Sequence, residues 1–298
     1  MITVKLQGGL GNQMFQCAIG KSIAKRNNTD LILDLTLLNH RIPTRSKYTY
    51  RELQLDIFNF NIQTTLLSKA PKFLRNPAYV LQVLINKTRQ FTSKNKMVYE
   101  KKAYYLDQNI MKLSDTYLDG FWQNVGYFKD IDAEIRKEFT SFRNPLSDAC
   151  QAKLKEITDS NSVCVNFRRT DYVTNKQAKE LYGELNNDYY QKALEMIAEK
   201  FGDIHVFVFS DDVAWSKQNF KTKYKMTYIE EDCAGWKYSG YFRLMMACKH
   251  NIIPNSTFAW WPAYLNQNKN KIVIAPKIWV TDKSVDPSGI FENNWIRI

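Results

Sequence analysis

The sequence predicts an α/β protein built from two Rossmann-like, doubly wound domains facing a cleft. Three observations carry this expectation. Short apolar runs rich in β-branched residues alternate with stretches of helical periodicity, at the start of the chain and again through its second half. Several of these runs end in glycine-rich or charged sequence, at the end of the strand where an open parallel sheet binds ligands. The length of 298 residues suits two domains of ordinary size. A break at Asn144-Pro145 and the polar residues after it divide the chain into 1–150 and 151–298.

Composition narrows the partners. Hydrophobic residues make up 44% and charged residues 24%, an ordinary globular balance. The net charge of +12 points to something anionic: nucleic acid, a phosphorylated substrate or an acidic membrane surface. No RNA-recognition motif is present, and the basic segment lacks regularly interleaved aromatics, so nucleic acid is not expected. The five cysteines form no C-x-x-C pair and the three histidines are far apart, so neither a disulfide scaffold nor a metal site is expected. Met1–Gly9 has no signal-peptide pattern, and no apolar run approaches the ~20 residues that span a bilayer.

In chain order, Ile2–Leu6 reads as a strand and Gln13–Arg26 as a helix, joined by the glycine-rich turn Gln7–Asn12. Such a turn lets backbone approach a ligand, and the helix N-terminus favours anions. Leu31–Leu35 is a second strand carrying Asp34. Gly9-Leu10-Gly11 with Asp34 partly imitates a dinucleotide fingerprint, which makes an NAD-dependent oxidoreductase the alternative function; Met14 occupies the third small position and would crowd helix–strand packing. From Leu66 to Lys102 nine basic residues accompany one acid, Glu100, around the apolar segment Ala78–Ile85, with Pro71 and Pro77 breaking any long helix at its start. This basic insertion reads as a solvated excursion or as peripheral contact with an anionic membrane. Tyr117–Phe121 is a strand and Asp130–Phe139 a helix.

In the second half, Val163–Phe167 is a buried strand ending in Arg168-Arg169-Thr170-Asp171. Two adjacent arginines supply a fork of permanently charged donors suited to a diphosphate. Asp171 can hold one guanidinium or touch a ligand hydroxyl. A polar loop (174–187) leads to a helix over Asp188–Lys200 with Asp188 as its N-cap. His205–Phe209 is a strand ending in Ser210-Asp211-Asp212: the paired acids bind a metal, a ribose or a base edge, or Ser210 or Asp211 caps the helix from Val213. Met226–Ile229, Asn251–Pro254 and Lys271–Ala275 are strands, and Tyr241–Lys249 and Phe258–Leu265 helices. Asn255-Ser256-Thr257 opens the last helix as a phosphate cradle. Trp260 and Trp261 read as core.

Four stretches together resemble the alpha-1,2-fucosyltransferase family, glycosyltransferase family 11: G-G-L-G-N-Q-M-F-Q at Gly8–Gln16, N-F-R-R-T-D-Y at Asn166–Tyr172, F-S-D-D at Phe209–Asp212 and K-H-N-I-I-P-N-S-T-F-A-W-W at Lys249–Trp261. The basic segment is not covered. The family usually has His where this chain has Asn166, and a small residue where it has Pro262. The resemblance implies a GT-B fold and inverting transfer of L-fucose from GDP-β-L-fucose to a glycan hydroxyl (galactose O-2, an α1,2 linkage), with no metal or other cofactor required. It also implies a cytoplasmic enzyme, peripheral on the inner membrane.

On that reading Arg168 and Asp171 are the catalytic candidates. Arg168 neutralises the β-phosphate, with Arg169 as second choice or structural partner. Asn166, Asp211, Asp212, Asn255, Ser256 and Thr257 bind the donor in the second domain. Gly9, Gly11, Asn12 and Gln13 line the acceptor side of the cleft in the first. Asp171, Glu180 and Glu184 are the carboxylates available as base.

Overall fold

Strand β1 (Ile2–Lys5) is buried over Ile2–Val4 and lies inside the first sheet. The computed structural model describes residues 1–40, 51–89, 91, 96–169 and 185–298. β1 pairs in parallel with β2 (Leu31–Asp34) on one side and β4 (Thr116–Asp119) on the other; β3 (Lys96–Tyr99) lies outside β4. The alternation of Ile2, Val4 and Leu6 with Thr3 and Lys5 is what made β1 legible. β3 was not expected: its four residues begin with lysine and sit at a sheet edge inside the basic segment.

Helix α1 (Leu10–Arg26) makes the crossover from β1 to β2. It starts three residues before the expected Gln13, with Gly9 as N-cap, so Gly11, Asn12 and Gln13 form its opening turn. Gly20 permits the close approach of this helix to the sheet. A Cβ there would lie 2.6 Å from Leu31 Cδ1 and 2.8 Å from Val4 Cγ2. After the short α2 (Thr36–Asn39), the apolar part of the basic segment becomes α3 (Arg75–Arg89). Pro77 is tolerated in its first turn, where no intrahelical N–H bond is lost. α4 (Asp132–Phe139) buries Ile135 and Phe139.

The first unit comprises Met1–Arg143 with Val285–Phe291, and the second Asn144–Ser284 with Glu292–Ile298. The division thus falls at 143/144 rather than 150/151. The reason is α5 (Asp148–Thr158), capped by Ser147, whose Cys150 thiol donates to the Cys233 carbonyl of the second unit (3.1 Å).

The second sheet is also parallel, in the order β10-β9-β8-β5-β6-β7. Its strands are β5 (Ser162–Phe167), β6 (His205–Ser210), β7 (Lys225–Tyr228), β8 (His250–Ile252), β9 (Val273–Ala275) and β10 (Ile296–Arg297). β10, two residues long, gave no signal in the sequence. Helix α6 (Asn187–Phe201) packs Tyr190, Leu194 and Ile197 on the face carrying Val163, Val165, Val206 and Val208. Asn186, not Asp188, caps it by accepting the Tyr189 amide (3.2 Å). The opposite face meets α8 (Ser239–Ala247), with the Phe209 and Tyr241 rings 5.9 Å apart edge to face. Helices α7 (Val213–Asn219) and α9 (Thr257–Leu265) complete the unit, and Trp260 and Trp261 of α9 are core, as expected.

His250 opens β8 without exposure, its Nδ1 accepting the Ile272 amide (3.0 Å). Burial, then Lys249 and Lys200, lower its pKa from 6.5 to about 4. Between those values the unfolded chain binds a proton that the folded chain refuses. The contribution is therefore fully present above about pH 6.5 and lost as pH falls toward 4, on the order of 3 kcal/mol in all. Urea titrations of the parent and His250→Asn across this range should converge as pH falls. Parallel pH profiles would contradict the assignment.

Candidate functional site

Both sheets reverse strand order beside their first strand, and an open α/β sheet receives ligands at the carboxyl edge of such a switch point. In the second unit the reversal lies between β5 and β8, with β6 on the other side of β5. This topology brings three stretches distant in sequence to one edge: Asn255–Thr257 after β8, Arg168-Arg169 after β5 and Asp211-Asp212 after β6.

Phe167 pairs with Ser210, so the arginines emerge directly beside the two acids. Asp211 Oδ1 accepts the Arg169 amide (2.8 Å), and Asp211 Oδ2 lies 3.8 Å from Arg168 Nε. Arg169 takes a different post. Its guanidinium carbon is 3.9 Å from the centre of the Trp215 ring, and its Nε is 3.9 Å from Asp212 Oδ2. Asp212 is also the N-cap of α7, accepting the Trp215 amide (3.0 Å). A cation stacked on an indole and flanked by a carboxylate is held in one pose. The acids therefore position the arginine pair. The capping role expected of Ser210 or Asp211 belongs to Asp212, while Ser210 Oγ accepts the Asp212 amide (2.9 Å).

Asn166 is buried within β5, and its Nδ2 donates to the Phe209 carbonyl (3.4 Å). Its own carbonyl accepts the Tyr190 hydroxyl (3.1 Å), so the residue braces β5 against β6 and α6. At the neighbouring strand end, Asn255 is buried and donates to the Trp279 carbonyl (3.3 Å). Ser256 is the N-cap of α9 but its hydroxyl makes no capping bond to the helix. The N-terminus of α9, a helix that continues through Pro262, lies after β8 at the same strand edge as Arg168. Asp171, Glu180 and Glu184 lie outside the described residues.

The first unit has its switch point between β1 and β4. Gly8 makes the turn there with φ of +76°, and a Cβ on it would lie 2.3 Å from Asn12 Nδ2. Gly9 is half-buried, and Gly11 is buried in the first helical turn. Asn12 Oδ1 accepts from Gln123 Nε2 (2.9 Å). Gln13 is fully buried and its amide is saturated: it donates to the Gly8 and Glu52 carbonyls (both 2.9 Å) and accepts from the Gln54 amide (2.9 Å). Gln13 therefore fixes the turn rather than facing solvent.

Sequence reasoning missed three residues of this edge and one of the other. Gln16, also buried, accepts the Gln7 amide and donates to the Gly120 carbonyl (both 3.0 Å). Its spacing of three from Gln13 was the available signal. Glu100, the lone acid of the basic segment, accepts the Phe121 and Trp122 amides (2.7 and 3.1 Å), and burial raises its pKa. Gln123 meets Asn12, and Trp215 carries Arg169.

The dinucleotide alternative does not survive this geometry. Asp34, its ribose-binding acid, is fully buried. Its carboxylate accepts from the Thr36 amide (2.9 Å), the Ser68 hydroxyl (3.3 Å) and the Tyr117 hydroxyl.

The alpha-1,2-colitosyltransferase of Escherichia coli is 31% identical over 310 residues, covering 100% of this chain and 99% of that protein. The O-antigen biosynthesis glycosyltransferase WbnK of Escherichia coli is 28% identical over 307 residues, 98% and 99% of the two chains. The galactoside alpha-(1,2)-fucosyltransferase 1 of Sus scrofa is 28% identical over 192 residues, 61% of this chain and 52% of that one. The model of glycosyl transferase family 11 matches residues 1–298, and the chain belongs to that family.

Proposed function

We propose that this glycosyltransferase moves L-fucose from GDP-β-L-fucose to O-2 of a galactose in a glycan acceptor, inverting the anomeric centre to give an α1,2 linkage, without a metal. The observation that carries the reading is the arginine pair at the β5–β8 switch point, beside the N-terminus of α9. The acceptor hydroxyl attacks the anomeric carbon as the bond to the GDP oxygen breaks. Negative charge then grows on the β-phosphate. Arg168, with the Ser256 hydroxyl and the first amides of α9, stabilises that charge where it develops. Arg169, clamped on Trp215, positions its neighbour and closes the same edge. The hydroxyl proton passes to a carboxylate, with Asp171, two residues after Arg169 in the sequence, the candidate. The acceptor is assigned to the first unit, at the edge built on Gly8, Gly9 and Asn12.

The sugar and the linkage rest on relatives named for α1,2 transfer of colitose and of fucose. Colitose is L-fucose without its 3-hydroxyl, so both GDP-sugars belong in the test. Thermal melts with EDTA present should shift with GDP and stay unmoved by UDP, ADP or NAD. Incubation with GDP-L-fucose and a terminal galactoside should then give an α1,2-linked product by NMR. Transfer from GDP-colitose alone would replace fucose as the donor sugar, and a shift with NAD alone would overturn the reading.

A further inference from the structure

Helix α3 exposes apolar side chains while burying Gln82 beside Ala78, and we propose that it docks the protein on an anionic lipid surface. On an ordinary surface helix the apolar side chains turn inward. Here Gln82 turns inward, only 4% exposed, and donates to Asn86 Oδ1 (2.8 Å). Arg89 donates to the same oxygen (2.8 Å) while its guanidinium lies over the Tyr117 ring. The outward face carries Val80, Leu81 and Leu84, about half exposed at 46–54%. Leu84 lies four residues after Val80 and three after Leu81, which sets the three on one side of the helix. The segments flanking the helix expose Leu66, Phe73 at 78% and Phe91 at 89%. Single exposed hydrophobics are unremarkable, but a cluster drawn from one helix and both of its flanks marks a binding surface.

The charges around it select the partner. From Leu66 to Phe91 the sequence has Lys69, Lys72, Arg75, Lys87 and Arg89 and no Asp or Glu. Lys69, Lys72 and Lys87 are exposed. A second copy of the chain would set these lysines against their own counterparts, within a molecule already at +12. A bilayer of anionic lipid accepts both features. The leucines and phenylalanines enter the headgroup–acyl boundary, and the lysines reach back to the phosphates. No helix among the described residues is long and apolar enough to cross a membrane, so the contact is a docking on the surface.

Flotation with phosphatidylcholine vesicles, with and without phosphatidylglycerol, tests this. The protein should float with the anionic vesicles at low salt and not with phosphatidylcholine alone. Lys69→Ala/Lys72→Ala should weaken binding by roughly 30-fold, the factor expected for two lysines near an anionic surface. Phe73→Ser/Leu84→Ser should weaken it by about tenfold or more and leave Tm and turnover of a soluble acceptor unchanged. No flotation at low salt would overturn the proposal. So would full binding by Phe73→Ser/Leu84→Ser, which would reduce the effect to net charge. A dimer dissolved by that same variant would assign the face to a second copy instead.

Discussion

Arg168→Ala is expected to lower kcat by on the order of 100-fold or more, the scale of removing one donor from a developing oxyanion. The side chain is about a quarter exposed, with Asp211 Oδ2 3.8 Å from its Nε, so truncation removes charge without opening the core. Thermal stability should therefore stay close to the parent's, and the loss should appear in kcat more than in KM. Arg168→Lys should recover part of the activity, since charge returns without the planar fork. Arg169→Ala provides the contrast. That residue is stacked on Trp215 and held beside Asp212, so its loss also frees the start of α7 and should cost some stability as well as turnover. Near-normal kcat in Arg168→Ala would remove the central element of the proposed mechanism.

Asp34→Ala carries the largest stability effect. The carboxylate is fully buried and accepts from a backbone amide and two hydroxyls. Deleting it takes the acceptor away from the Tyr117 hydroxyl proton and the Thr36 amide beside β2. Hydrogen bonds to a buried charge are worth about 1.5–3 kcal/mol, and orphaned partners add to the cost, so a loss of about 3–4 kcal/mol is expected by urea unfolding. GDP should still raise the melting temperature of whatever folds. A variant of parental stability that had selectively lost nucleotide binding would instead make Asp34 a ligand contact and restore the oxidoreductase reading.

How much of this was legible in the sequence follows from where each signal originates. Buried parallel strands such as β5 and β6 show themselves as continuous apolar runs. The sheet edges β3 and β10 do not, because partner strands rather than composition make them strands. The arginine pair and the Asn255–Thr257 turn were visible because charge and hydroxyls follow a strand directly. Their neighbourhood was not visible, since it depends on β8 returning to the far side of β5. Roles within motifs were the least legible. Gln13 reads as a cleft residue, yet it is a buried amide tying Gly8 to residues 52–54. Asp211 and Asp212 read as ligand acids, yet they grip the arginines and cap a helix. A motif records that a residue type is required, and only the hydrogen bonds tell whether the requirement is chemical or architectural.

The return of residues 285–291 to the first unit makes that unit discontinuous in the chain. The fit is tight where it closes. A Cβ on Gly289 would lie 2.1 Å from both Asn124 Nδ2 and the Tyr104 carbonyl, and Asn124 donates to that same carbonyl (2.6 Å). No single cut releases this unit intact: a fragment ending at 143 leaves the Asn124 corner uncovered. Chimaeras that exchange the second unit between relatives must therefore carry two pieces, 144–284 and 292–298, and leave the intervening strip with its original owner. Recombination at one crossover would join a strip from one parent to a corner from the other, so inheritance of the two units is linked although their sheets are separate.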